Sequence, residues 1–123
     1  MDILVIDDDP AVRLVLSRML TALGHRHWAV PDSQAAHAVL KGLGSAAVLC
    51  DVELGREDGV ELCLTIRRCF PRLRIALMTG NPAAARRGEE EGFGEALAKP
   101  FTIIELEKLL RELGADDLGG RPG

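Results

Sequence analysis

Short continuous apolar runs alternate along the chain with stretches in which apolar residues return every three or four positions. Ile3-Leu4-Val5-Ile6, Ala46-Ala47-Val48-Leu49-Cys50 and Ala96-Leu97-Ala98 are runs of the first kind. Bounded by turn residues, such runs read as strands buried on both faces, and strands of that type belong to parallel sheets. His27 to Val30 and Arg74 to Met78 supply two more strands, the former a weakly signalled edge. Helices are predicted between them. Asp9 can cap a helix that opens with Pro10, the favoured first helical position, and runs to Leu23 before Gly24. Its Val12, Val15, Leu16, Met19 and Leu23 share one stripe.

Asp32 or Ser33 caps a second helix to about Lys41, closed by Gly42 and Gly44, and a third runs from about Val60 to Cys69, ahead of Pro71. Thr79-Gly80-Asn81-Pro82 turns into a fourth, interrupted by Gly88 and Gly92 and supported on a solvated face by Arg86-Glu90 and Arg87-Glu91 pairs. Thr102-Ile103-Ile104-Glu105 is a capping box for a fifth, with Ile103, Leu106, Leu109, Leu110 and Leu113 inward and Gly114 as its end. Ala115 to Gly123 has too little apolar surface to order itself and is expected to be a flexible C-terminal tail.

Five strand and helix units in alternation imply an α/β fold: a doubly wound, five-stranded parallel sheet in a three-layer sandwich over residues 1–114. Pattern alone leaves the strand order open; for this size the flavodoxin-like order 2-1-3-4-5 leads. In open parallel sheets ligands bind beyond the carboxyl ends of the strands. Asp7 and Asp8 follow the first strand, Asp51 the third, Thr79 ends the fourth and Lys99 follows the fifth. These side chains should therefore converge on one site.

Composition narrows the function. The 123 residues, 47% hydrophobic, suffice for one core, and a net charge of −4 leaves no electrostatic footprint for nucleic acid. No apolar stretch approaches the ~20 residues of a membrane helix, and Met1-Asp2 leads into a strand without a signal-peptide pattern, so the expected compartment is cytoplasmic. Cys50, Cys63 and Cys69 lack metal or disulfide spacing and read as small buried hydrophobes. His25, His27 and His37 form no ligand cluster, and His25 and His27 are expected to meet solvent on the edge strand.

Three carboxylates brought within a few ångströms either raise one another's pKa or recruit a cation. Oxygen-only ligands favour a hard ion, and a site with few carboxylates suits Mg²⁺ completed by phosphate oxygens. An ammonium and a hydroxyl on neighbouring strands would supply the remaining contacts to a phosphoryl group. Each residue also has a plainer reading. Asp7 or Asp8 could cap the first helix, although Asp9 is better placed; Asp58-Gly59 is better explained as turn chemistry; Thr79 alone would pass as a strand residue.

Asp7-Asp8 after an apolar strand, Asp51 followed by Asp58-Gly59, Thr79, and Lys99-Pro100-Phe101 together resemble the receiver domain of two-component response regulators, over about residues 1 to 114. The resemblance implies a domain that assists its own phosphorylation and dephosphorylation and does not turn over external substrates. Asp51 matches the residue that takes a phosphoryl group from a phosphohistidine. Asp7 and Asp8 match the acidic pair that holds Mg²⁺ directly or through water, and Glu53 the residue whose carbonyl completes the metal shell. Thr79 matches the hydroxyl that swings to the phosphoryl oxygen, Lys99 the cation that pairs with it, and Pro100 a proline that usually follows a cis peptide bond. The implied partners are a sensor histidine kinase or a histidine phosphotransfer protein, with neither nucleic acid nor membrane for this chain and a monomer or weak dimer. Leu14, opposite the inward stripe of the first helix, is a candidate contact for a kinase helix.

Three other readings are weaker. Asp7-Asp8-Asp9 resembles the start of a haloacid-dehalogenase-type phosphatase, but Ala11 stands where that family expects Thr or Val. A degenerate module that is never phosphorylated does not need the full acid set with Thr79 and Lys99. His37 as a phosphotransfer histidine has the wrong spacing to Lys41-Gly42.

The chain departs from the receiver pattern at Ala96, where the family often carries Tyr or Phe as a switch ring, and between Thr79 and Lys99, which is about two residues short of the usual spacing. The surface built by the fifth strand and its neighbouring helices is therefore expected not to be read through an aromatic switch. Amide shifts with and without beryllofluoride should leave Ala96 and the fourth helix nearly unmoved; large changes centred there would overturn this expectation.

Overall fold

The computed structural model describes residues 1–43 and 46–119. The strands and helices follow in the order β1 (Asp2–Ile6), α1 (Pro10–Ala22), β2 (Arg26–Val30), α2 (Ser33–Leu40), β3 (Ala47–Asp51), β4 (Glu53–Leu54), β5 (Glu57–Asp58), α3 (Gly59–Cys69), β6 (Arg74–Thr79), α4 (Pro82–Glu90), β7 (Leu97–Ala98) and α5 (Ile103–Gly119). The main sheet is parallel throughout in the order β2-β1-β3-β6-β7, the predicted 2-1-3-4-5 once the small antiparallel hairpin β4–β5 is set apart.

Because successive strand residues point to opposite faces, the central strands feed two cores. Ile3, Val5, Ala47, Leu49, Ala76 and Met78 pack against Leu16 and Leu20 of α1 and Leu106 and Leu110 of α5. Leu4, Ile6, Val48, Cys50 and Leu77 face the other way, onto Ala36 and Leu40 of α2 and Val60, Cys63 and Ile66 of α3. Each fully buried Leu or Ile contributes roughly 1.5–3 kcal/mol. All five residues of β3 are buried, which makes it the fixed centre of the sheet.

The caps follow the sequence signals. Asp9 accepts from Ala11 N at 2.9 Å, Asp32 from Ala35 N at 2.9 Å, and Thr102 and Glu105 exchange reciprocal bonds of 2.9 and 3.1 Å. Gly24 ends α1 in the left-handed region, φ 84°.

Several expectations are corrected. Gly114 does not end α5, which continues to Gly119. A glycine stops a helix when it takes a left-handed conformation, and Gly114 has no positive φ; it sits instead against Met1, whose Cε would lie 2.8 Å from an added Cβ. The expected tail therefore starts as helix, and residues 120–123 lie outside the described residues, as does Gly44. Val15 is 49% exposed and Leu20 is buried in its place, since the inward face of α1 is centred on Leu16 and Leu20. Ile103, in the capping turn of α5, is exposed as well, as is Cys69 in the last turn of α3. Arg87 turns away from Glu91 and bonds Asp58 and Glu61 across to α3.

Gly59 is the most closely packed of the described glycines, and its constraint is the absence of a side chain. A Cβ there would stand 2.0 Å from the carbonyl oxygen of Asp51 and 2.8 Å from Val52 Cα, both backbone atoms that cannot swing aside. Gly59→Ala should therefore lower stability by about 3 kcal/mol, in the range of overpacked or strained sites, measured by urea unfolding; a loss below about 1 kcal/mol would contradict this close approach.

Candidate functional site

At the carboxyl ends of β1 and β3, Asp7, Asp8 and Asp51 each offer a carboxylate oxygen, and the three oxygens lie within 4.8 Å of one another. The parallel pairing of β1 with β3, Ile6 opposite Cys50, brings two distant segments to one rim. Asp7 and Asp51 are buried, and Asp8 is open to solvent. The backbone holds the buried pair in place: Asp9 N donates to Asp7 Oδ1 at 2.9 Å, and Glu53 N donates to Asp51 Oδ1 at 3.1 Å. Arg13 Nη1 donates to the carbonyl of Asp7 at 2.8 Å, tying α1 to the same turn.

Lys99 reaches the cluster from the far side. Its Nζ stands 2.7 Å from Asp7 Oδ2 and 3.1 Å from Asp51 Oδ2. The lysine is delivered by β7, which pairs with β6 so that Thr79 lies opposite Ala98, and Lys99 N donates to the Thr79 carbonyl at 2.9 Å. The Lys99-Pro100 peptide bond is cis, as the resemblance implied. Thr79 is buried at the end of β6, its Oγ accepting from Asn81 N at 3.0 Å.

The electrostatics are unbalanced. Burial pushes the Asp51 carboxyl up, the Glu53 amide and Lys99 oppose it, and nearby Asp7 adds to the rise; the net is a pKa above the ordinary aspartate value. Burial pulls the Lys99 ammonium down, but its bonds to Asp7 and Asp51 more than offset this and carry it above the usual lysine value. One cation among three carboxylates leaves an excess of negative charge at the rim. That excess, an all-oxygen donor set and one solvent-open carboxylate fit a hard divalent ion such as Mg²⁺.

Other predicted residues take different places. Asp58 caps α3 through Val60 N and Glu61 N, which bears out its reading as turn chemistry. Its slight burial is outweighed by Arg87 and these amides, which hold its carboxyl below the usual range. Glu53 gives its N–H to Asp51, and its side chain is exposed. Leu14 is 53% exposed on α1. Beside it an apolar groove of about 360 Å³ runs along Ala11, Val12, Val15 and Phe101 up to Lys99. A second cavity, of about 510 Å³, opens between Thr79, Ala85, Ala96 and Lys99, where small side chains leave space next to the site.

The hairpin β4–β5 and its anchors escape sequence reasoning. Ser33 N and Oγ both donate to the carboxylate of Glu57, the former at 3.0 Å. No periodicity or motif links the start of α2 to a strand residue 24 positions further on.

The sequence matches the response regulator receiver domain family over residues 3–111, and the chain belongs to that family. It is similar to the transcriptional regulatory protein TcrA of Mycobacterium tuberculosis, 36% identical over 113 residues that cover 90% of this chain and 45% of TcrA. It is also similar to the response regulator protein FleR of Pseudomonas aeruginosa, 36% identical over 98% of this chain and 25% of FleR. The chain thus spans less than half the length of these relatives. Among solved structures, the beryllofluoride-activated NtrC4 receiver domain dimer superposes with a TM-score of 0.84 at 23% identity, covering 94% of this chain and 97% of that one. The signal receiver domain of an HD domain-containing protein from Pseudomonas fluorescens gives 0.82 at 25%, covering 96% and 89%.

A raised carboxyl pKa in the fold means that native structure binds the Asp51 proton more tightly than the unfolded chain. The stability this contributes is present below the ordinary aspartate value and is lost as pH rises through the native value. At pH 7 the ionised Asp51 is thus a burden on the metal-free fold. Asp51→Asn should raise the urea midpoint at pH 7 in EDTA and narrow its advantage near pH 4; a lower midpoint at pH 7 would contradict the charge excess.

Proposed function

We propose that Asp51 accepts a phosphoryl group from a phosphohistidine on a sensor histidine kinase or histidine phosphotransfer protein, with Mg²⁺ held by Asp7, Asp8, Asp51 and the Glu53 carbonyl. The observation that carries this reading is the convergence of Lys99 on both Asp7 and Asp51 beside Thr79. A carboxylate oxygen of Asp51 attacks phosphorus, the P–N bond to the histidine breaks, and an acyl phosphate forms. The transition state is loose, with charge spread over three equatorial oxygens, so positioning and charge neutralisation do most of the catalysis. A bound Mg²⁺ would supply Lewis-acid neutralisation on one side of those oxygens. Lys99 supplies positive charge on the other, and the Thr79 hydroxyl is placed to donate a hydrogen bond. The nucleophile is already ionised at neutral pH, so no general base is required.

Later hydrolysis needs a water, and Glu53, Gly80 and Asn81 around the rim set its access. The reading is of a signalling domain acting on its own carboxylate in the cytoplasm. The groove along α1, lined by exposed Val15, supports docking of a partner helix next to the site. Because TcrA is named a transcriptional regulatory protein and is longer than this chain, any DNA contact is assigned to other segments. The net charge of −4 agrees with that division.

Incubation with acetyl phosphate and Mg²⁺, read by intact mass, should add one phosphoryl group. The adduct should be absent in Asp51→Asn and in EDTA. A wild-type protein that stays unmodified, or an adduct that survives in Asp51→Asn, would refute the assignment.

A further inference from the structure

We infer that Glu57 and Ser33 form a clamp that positions the Asp51 loop, making Glu57 a positioning residue of the proposed phosphoryl-acceptor site on which this inference rests. The hairpin β4–β5 follows Asp51 directly and is only two residues long on each side, too short to hold itself. It is also net acidic, with Glu53, Glu57 and Asp58 against Arg56, and it passes close enough to the cluster that a Cβ on Gly55 would stand 3.2 Å from Asp8 Oδ2. Like charges would drive such a loop away from the rim. Something must hold it.

Leu54 seats β4 in the core, and the hold on β5 comes from α2. Ser33 is the first residue of that helix, and its N–H is one of the donors a helix leaves unpaired at its start. Asp32 satisfies Ala35 N, and the Glu57 carboxylate takes the Ser33 N–H at 3.0 Å while also accepting from Ser33 Oγ. The carboxylate thus sits at the positive end of the helix dipole in a two-point, charge-assisted contact. Its neighbour Asp58 is fixed in the same way at the start of α3 and by Arg87. With β5 pinned at both residues, β4 is held in register and the Glu53 N–H stays on Asp51 Oδ1 at 3.1 Å. That bond orients the carboxylate of Asp51, so the clamp acts on the reaction through it.

The test uses Glu57→Ala, Ser33→Ala and the double variant. In EDTA, amide hydrogen exchange at Glu53 should quicken about tenfold in Glu57→Ala and less in Ser33→Ala, with the double variant matching Glu57→Ala, while amides of β1 and β3 are unchanged. Modification by acetyl phosphate should then slow about tenfold, through the maximal rate more than through the half-saturating concentration. Unchanged exchange at Glu53, or a rise shared with β3, overturns the clamp. If the wild type takes no phosphoryl group, the acceptor reading fails, and the exchange measurement still decides the clamp.

Discussion

The repulsion among Asp7, Asp8 and Asp51 is the constraint that the rest of this structure answers. A fold that gathers three carboxylate oxygens within 4.8 Å, two of the residues buried, must spend packing energy from elsewhere to keep them there. The two cores on either face of the sheet supply it, anchored on strands whose residues alternate between them. Lys99 offsets part of the repulsion, and the negative excess that remains suits the rim to a hard divalent cation. Stability and chemistry are opposed at this one point.

The supporting contacts sort by what they fix. Asp7 is held by the turn that also caps α1, so the first acid and the first helix are placed by a single local arrangement. Asp51 is held by the Glu53 amide, which belongs to a short hairpin seated in the core by Leu54 alone of its strand residues. Thr79 and Lys99 are bound together through the β6–β7 pairing, so hydroxyl and ammonium arrive as a unit. Asp7, Asp51, Thr79 and Lys99 are therefore each set by a strand end and by hydrogen bonds to its neighbours.

How much of this was legible in the sequence depended on range. The caps at Asp9, Asp32 and Thr102, the buried character of β1 and β3 and the strand order all follow from local signals: side-chain acceptors before apolar periodicity, and continuous apolar runs. The acid cluster was legible too, because parallel topology converts strand ends into neighbours. What was not legible is set by contacts between elements distant in sequence. Nothing near Glu57 announces Ser33, and Arg87 pairs at helical spacing on paper but finds Asp58 and Glu61 in space. Gly114 reads as a stop because glycine usually is one, yet a close neighbour, Met1, makes its missing side chain useful inside the helix.

The ladders that join the sheet are unequal. β3 shares five registered pairs with β6, and β1 shares five with β2, whereas β7 is attached to β6 by two alone, Met78 with Leu97 and Thr79 with Ala98. Displacing β7 breaks fewer backbone bonds than moving any other strand of the sheet. The sheet is therefore mechanically lopsided, rigid under Asp51 and compliant under Lys99, and a change of charge at the rim finds its least resistance on the side that carries Lys99.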